Sequence, residues 1–176
     1  MEISLDKIKA VREQAGAGVM DAKKALEDSG GDIEKALDTL RDKGMASAIK
    51  KGGRETGEGL IETYVHGGGK VGVMLEVNCE TDFVARTDDF KELCHNLAMQ
   101  IAAMSPIYIN ADEIPDDEKR SPEELALTSQ AYIRDPAVSV SDLILEAAGK
   151  LGENCLLYTS DAADDTPCVD LGGRRI

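Results

Sequence analysis

The chain has 176 residues, 42% of them hydrophobic and 3% aromatic, which is room for one or two domains around an apolar core. Thirty-four acids against 20 bases give a formal charge of -14, so nucleic acid and anionic lipid would be repelled and a protein partner with basic patches fits better. No apolar run approaches the roughly 20 residues of a membrane span, and residues 1–6 lack a basic, apolar leader, so the expectation is a cytoplasmic protein with no membrane partner.

Residues 1–42 predict three short helices. Leu5, Ile8, Val11 and Ala15 form the first apolar stripe behind the N-cap candidate Ser4. Val19, Ala22, Ala25 and Leu26 form the second, and Ile33, Ala36, Leu37 and Leu40 the third, behind Asp32. Gly16-Ala17-Gly18 and Ser29-Gly30-Gly31 supply the breaks, so a compact three-helix bundle is expected. Met20 stands apart. It lies roughly 140° from the centre of its stripe, between Lys23 and Lys24. There it is either a docking side chain for an acidic surface or a single solvated methionine.

Residues 43–58 read as a linker, a helical segment around 45–49 followed by the charged, glycine-rich Lys50-Lys51-Gly52-Gly53-Arg54. Its bases come with neither an aromatic nor a P-loop pattern, so a solvated connector is expected rather than a phosphate site.

Residues 60–65 and 71–79 are alternating runs joined by His66-Gly67-Gly68-Gly69-Lys70, the signature of a β-hairpin. On its second strand Val71, Val73, Leu75, Val77 and Cys79 share one face. Asn78-Cys79-Glu80-Thr81-Asp82-Phe83-Val84-Ala85-Arg86 then drives an acid and an aromatic out of that strand before a helix restarts at about Asp88. Asp82 and Phe83 are therefore expected on a strand-to-helix turn, presented rather than buried. Phe90, Leu93, Leu97, Ile101 and Met104 form the stripe by which the next helix packs on the hairpin, with Cys94 at its edge. Beyond it, 106–109 reads as a strand, 122–131 as a helix begun by Ser121-Pro122, and 141–151 as a helix ended by Gly152. The fold class expected is α+β: an N-terminal bundle, then over residues 59–154 a core with a β-hairpin packed by helices.

Catalytic chemistry is not legible. Cys79, Cys94, Cys155 and Cys168 have neither CxxC nor Cys/His ligand spacing, so no metal site is expected. His66 has no nucleophile or second ligand at a recognisable spacing, and Cys94 and His95 diverge on their helix, so no catalytic residue and no cofactor is assigned. Residues 155–176 show no sustained period of 2 or 3.6. The run from Cys155 to Asp164 resembles a translated transposase-type sequencing adapter, TGT-CTC-TTA-TAC-ACA-TCT-GAC-GCT-GCC-GAC. That segment is accordingly set aside as a non-native tail with no fold signal.

Two long runs carry a family likeness. Gly16-Ala17-Gly18-Val19-Met20-Asp21-Ala22-Lys23-Lys24-Ala25-Leu26 and Glu76-Val77-Asn78-Cys79-Glu80-Thr81-Asp82-Phe83-Val84-Ala85 resemble bacterial or organellar elongation factor Ts. The similarity extends to Gln100-Ile101-Ala102-Ala103-Met104, Ile133-Arg134-Asp135-Pro136 and Lys150-Leu151-Gly152-Glu153-Asn154, and so covers residues 1–154. It implies a ubiquitin-associated-like bundle followed by a core domain. It also implies guanine nucleotide exchange on elongation factor Tu, in its GDP-bound and nucleotide-free forms, by a binding protein that is not an enzyme. By the same resemblance Thr81, Asp82, Phe83 and Val84 form the exchange wedge, the Asp-Phe pair inserting near the partner's switch region and disturbing its magnesium and phosphate site. Val19, Met20 and Lys23 form a second contact on the bundle.

The chain departs from the family in three places. Ala22 stands where the family usually has cysteine. Residues 109–131 are shorter than in many relatives, which leaves a dimerising helix and a homodimer open. The family's final basic, apolar strand is replaced by the adapter-like tail, so an incomplete core is expected. The competing expectation is a ubiquitin-associated-type adaptor that binds helices or nascent chains without exchange activity. Such a bundle has no use for the Asp82-Phe83 turn.

Overall fold

Side chains that accept a backbone N–H start the first and third helices. Ser4 accepts from Lys7 N at 3.4 Å and opens α1 (Leu5–Ala15), and Asp32 accepts from Lys35 N at 3.3 Å and opens α3 (Ile33–Lys51); α2 (Val19–Asp28) begins after Gly18. The computed structural model describes residues 3–158. Most of the three stripes read from the sequence meet in one small core of Ile8, Val11, Ala22, Ala25, Leu26, Ala36 and Leu40, but Leu5 and Val19, expected on those stripes, stand in the first turns of their helices and are exposed.

The third helix does not stop near residue 42, as the periodicity suggests, but continues to Lys51 and buries Ala48 in a second, larger core. Gly44 looks like a breaker in the sequence. In the structure it is where a later helix crosses α3 closely, and the basic last turn, Lys50 and Lys51, suits the negative end of the helix.

β1 (Glu58–His66) and β2 (Val71–Cys79) form the expected antiparallel hairpin, with Glu58 opposite Cys79 and His66 opposite Val71. The turn places Gly67, Gly68 and Gly69 at φ of 61°, 69° and 90°, a left-handed stretch that only glycine adopts without strain. Burial on β2 rises toward the far end, where Leu75, Val77 and Cys79 face the larger core. A one-turn helix α4 (Asp82–Ala85) follows, then α5 (Asp88–Met104), capped by Thr87, whose hydroxyl accepts from Phe90 N at 3.3 Å. Phe90, Leu93, Cys94, Leu97, Ala98 and Ile101 press α5 onto the sheet, while His95, expected in solvent, is exposed but reaches β1, where its Nδ1 lies 3.1 Å from Glu62 Oε1 and its ring stands edge-on to Tyr64.

The chain between α5 and the last helix differs most from expectation. Residues 106–109 form no strand but one parallel bridge, Tyr108 to Ala126, and helix α6 (Pro122–Leu125) lasts one turn. Leu125, Ala126 and Leu127 are buried in succession, a pattern that a helix with one solvent face cannot hold. A small hairpin, β3 (Ala131–Tyr132) with β4 (Asp135–Ser139), has no counterpart in the sequence reading. Gln100 ties it to α5: its amide donates to Gln130 Oε1 and Ala131 O, both at 3.1 Å, and its Oε1 accepts from Ile133 N at 2.9 Å.

α7 (Val140–Leu151) starts at a reciprocal Ser139–Asp142 cap and ends at Gly152. The next residues overturn an expectation. Cys155–Tyr158, set aside with the tail, form β5, antiparallel to the open edge of β2 with Cys79 opposite Cys155 and Val77 opposite Leu157. An unpaired edge beside a core favours any short apolar run that reaches it, and Cys-Leu-Leu-Tyr does. The sheet order is β1-β2-β5. The remainder of that segment lies outside the described residues.

Candidate functional site

The corner after β2 is built from both sides of the sheet ladder's end. The last paired residues are Cys79 and Cys155. One step further, each segment offers its carboxylate to the other's backbone. Glu80 Oε1 accepts from Asn154 N at 2.8 Å, and Glu153 Oε2 accepts from Thr81 N at 3.0 Å. Side-chain oxygens thus do the work of ladder carbonyls where the strands diverge. The Asn154 N–H, with Arg54 at 3.1 Å from Oε2, holds the Glu80 carboxyl below its ordinary value. Asn154, itself buried, sends its amide to the carbonyls of Gly52 and Arg54, at 3.4 and 3.0 Å, so the stretch after α3 is tied into the same corner.

Thr81 is the focus of these contacts. Its hydroxyl donates to Glu153 Oε1 at 2.7 Å and accepts from Val84 N at 3.4 Å as the N-cap of α4, and its carbonyl accepts from the Cys79 thiol at 3.2 Å. Held in this way, the single turn of α4 sorts its residues by direction. Val84 is 6% exposed and Ala85 is buried, both in the larger core, whereas Phe83 is 78% exposed. The chain has two phenylalanines, and the other, Phe90, is fully buried. Asp82 lies beside Phe83 and pairs with Arg86 Nη2 at 2.8 Å in an exposed i,i+4 contact, so its carboxylate remains available at the surface.

The second predicted set lies on the bundle. Met20 is 74% exposed in the first turn of α2, opposite the buried Ala22, Ala25 and Leu26, and Val19, on the same side as those residues, is 53% exposed because it stands at the end of the helix. Lys23 is exposed and pairs with Glu27 at 3.7 Å. Of the seven residues singled out by the sequence, Thr81, Asp82, Phe83, Val19, Met20 and Lys23 reach the surface, and Val84 instead faces the core beneath Phe83.

Two sets on separate elements are joined through α3 and α7. Arg41 meets Glu146 at 3.0 Å, Lys51 Nζ donates to Gly152 O at 2.6 Å, and Lys150 meets Asp89 at 2.6 Å. A groove of about 480 Å³ runs beside this seam, and two of its three acids are paired: Glu146 to Arg41, and Asp21 to Lys43, which holds the Asp21 carboxyl below its ordinary value.

Sequence reasoning missed Glu153, Asn154 and Arg54 as parts of the corner. The available signal was an acid-amide pair directly after the helix-ending Gly152. The thiols contribute no reactive group here. Cys79, Cys94 and Cys155 are free and buried, and burial pushes all three above the ordinary thiol value, Cys155 to about 12. Among the described residues no three His, Cys, Asp or Glu side chains are grouped to hold a metal ion, and no helix is long and apolar enough to cross a membrane.

Comparison with known proteins gives one consistent result. Residues 8–124 match the family model described as Elongation factor TS. The chain is 48% identical over 182 residues to elongation factor Ts of Thermotoga petrophila, an alignment covering 88% of this chain and 92% of that protein. Elongation factor Ts of Thermotoga neapolitana is 49% identical over the same shares. That of Herpetosiphon aurantiacus is 43% identical over 187 residues, 89% of this chain and 94% of the relative.

Proposed function

Because this chain belongs to the elongation factor Ts family of translation elongation factors, we propose that it promotes release of GDP from elongation factor Tu. The observation that carries the reading is Phe83, 78% exposed on a turn whose neighbours Thr81 and Val84 are pinned. Exposing a large aromatic on a rigid corner forgoes its burial, roughly 1.5–3 kcal/mol, and in an interface such a side chain becomes an anchor.

The mechanism needs no covalent step and no cofactor. In a nucleotide-binding partner, GDP and magnesium are held by a helix N-terminus and a phosphate loop, and a wedge that shifts those elements weakens the site. Phe83 enters as the apolar anchor and Asp82 brings negative charge beside the phosphate and magnesium site. Thr81 caps the turn and Val84 fixes it from below. Val19, Met20 and Lys23 supply a separate contact that holds the partner while the wedge acts. By linkage, the factor binds the nucleotide-free partner more tightly than the GDP-bound one, and GDP weakens the complex by the same factor. The reading sets the protein in the cytoplasm with the rest of translation. An adaptor role for the bundle alone leaves the presented Phe83 without use.

The test is the rate of fluorescent GDP release from elongation factor Tu with and without this chain. Acceleration that falls at least tenfold in Phe83→Ala supports the reading. No acceleration, or acceleration indifferent to Phe83, sinks it.

A further inference from the structure

We propose that Glu153 is a positioning residue for the wedge, acting through Thr81 from the start of the neighbouring strand β5; this inference rests on the exchange reading above. Glu153 never needs to touch the partner. One of its oxygens takes the Thr81 N–H at 3.0 Å and the other the Thr81 hydroxyl at 2.7 Å, so a single carboxylate fixes both the backbone and the side chain of the residue that caps α4. An ionised acceptor strengthens both bonds, and the hydroxyl that donates to it keeps a lone pair directed at Val84 N. That sequence, Glu153 to Thr81 to Val84, sets the orientation of the one helical turn on which Phe83 is carried.

The rest of the molecule gives Glu153 a reason to be where it is. It follows Gly152, the cap of α7, whose carbonyl accepts Lys51 Nζ at 2.6 Å from the end of α3. α3 also carries Leu40 and Ala36 of the bundle core. The bundle that bears Met20 and the turn that bears Phe83 are therefore joined through α3, the α7 cap and Glu153.

Because Thr81 can accept as well as donate, Gln can replace the carboxylate: its Oε1 takes the Thr81 N–H and its Nε2 donates to the hydroxyl. Alanine can do neither. Three variants, Glu153→Ala, Glu153→Gln and Phe83→Ala, are compared in the full chain by GDP release from elongation factor Tu over a range of factor concentrations. Amide hydrogen exchange of residues 81–85 is followed in the free protein. The expectation is that Glu153→Ala lowers the maximal stimulated rate about tenfold while changing the half-saturating concentration less than about threefold. Its amides at 81–85 exchange faster, and Glu153→Gln recovers rate and protection to within about threefold. A merely structural residue would move both kinetic parameters, or the melting temperature alone, and would gain nothing specific from glutamine.

The inference is overturned alone if Phe83→Ala loses activity while Glu153→Ala keeps it, or if glutamine rescues no better than alanine. If the unaltered chain accelerates nothing, the exchange reading fails first and the role of Glu153 falls with it.

Discussion

Gly149 of α7 lies against Gly44 of α3 so closely that a Cβ built on Gly149 would stand 2.6 Å from the Gly44 carbonyl carbon and 2.9 Å from its Cα. Glycine at this crossing lets two backbones approach and brings Ala48 and Ala148 into the larger core beside them.

Gly149→Ala should therefore destabilise the protein. Helix propensity favours alanine by about 1 kcal/mol, but the clash is with backbone, which cannot swing aside, and overpacking of this kind costs about 1–3 kcal/mol. The net effect expected in urea unfolding is a loss of up to about 2 kcal/mol. Gly44→Ala is the contrasting case. Its Cβ would meet Gly149 at 3.5 Å, ordinary contact, so propensity should win and the variant should be neutral or slightly more stable. A stabilised Gly149→Ala would show that the helices separate without loss.

The two phenylalanines should respond in opposite ways. Phe90 is fully buried under the sheet, and Phe90→Ala should cost about 3–5 kcal/mol. Phe83→Ala removes an exposed ring, so its stability should stay within about 0.5 kcal/mol of the parent while exchange activity falls. If Phe83→Ala unfolds the chain as Phe90→Ala does, the ring is structural and its exposure has been misjudged.

Much of this arrangement was readable in advance, for physical reasons that also explain the failures. Alternation announced β1 and β2, and period announced α1, α2 and α5, because each buries one face. Phe83 stood out because Glu80-Thr81-Asp82 breaks an apolar strand immediately before it. The extension of α3 was hidden by Gly44, whose role is set by a helix about a hundred residues later. β5 was hidden because four residues are too few to show a period, and their pairing depends on the open edge of β2. The sequence groups Val84 with the presented residues, yet the single turn of α4 can expose only one side, and Val84 is on the other.

On the bundle, Met20→Asp should act on binding rather than on stability. Met20 is 74% exposed, so its loss leaves the core of Val11, Ala22 and Leu26 intact and melting should not move. Truncation of an apolar interface contact is worth about 1–2 kcal/mol, which predicts about a tenfold rise in the factor concentration that half-saturates GDP release, with the maximal rate retained. A fall in maximal rate at unchanged half-saturation would place Met20 in the wedge's action instead.

Gln100→Leu tests the polar tie beneath the β3–β4 hairpin. Leucine is apolar and of similar size, but it leaves Ile133 N, Ala131 O and Gln130 Oε1 without the contacts Gln100 gives them. The buried Gln130 Oε1 left unmatched costs about 1–3 kcal/mol and the part-buried Ile133 N and Ala131 O, which water can reach, add less, so a loss of about 2–4 kcal/mol is expected by denaturant unfolding. An unchanged midpoint would mean that water replaces the glutamine.

Acid should loosen the corner before it unfolds the fold. The ionised Glu80 accepts the Asn154 N–H and the Arg54 guanidinium in the folded protein, so its folded value lies below the ordinary 4.5. The sign follows directly: the contribution of this contact is complete above about pH 4.5 and is lost as pH falls through the lowered folded value. Glu118, held near 2 chiefly by Arg120, and Asp21, lowered by Lys43, act in the same direction, although all three are solvent-facing and salt will weaken them. The melting temperature should be level from pH 7 to about 5 and fall below about 4.5. Glu80→Gln should start lower at pH 7 and fall less steeply, converging with the parent as pH drops through the lowered folded value of Glu80, because protonation removes from the parent what the substitution has already removed. Protection of the Asn154 amide, its exchange taken relative to the intrinsic rate at each pH, should fall in the parent as Glu80 takes its proton. Parallel pH curves for parent and Glu80→Gln would show that the Glu80–Asn154 contact contributes nothing to the acid response.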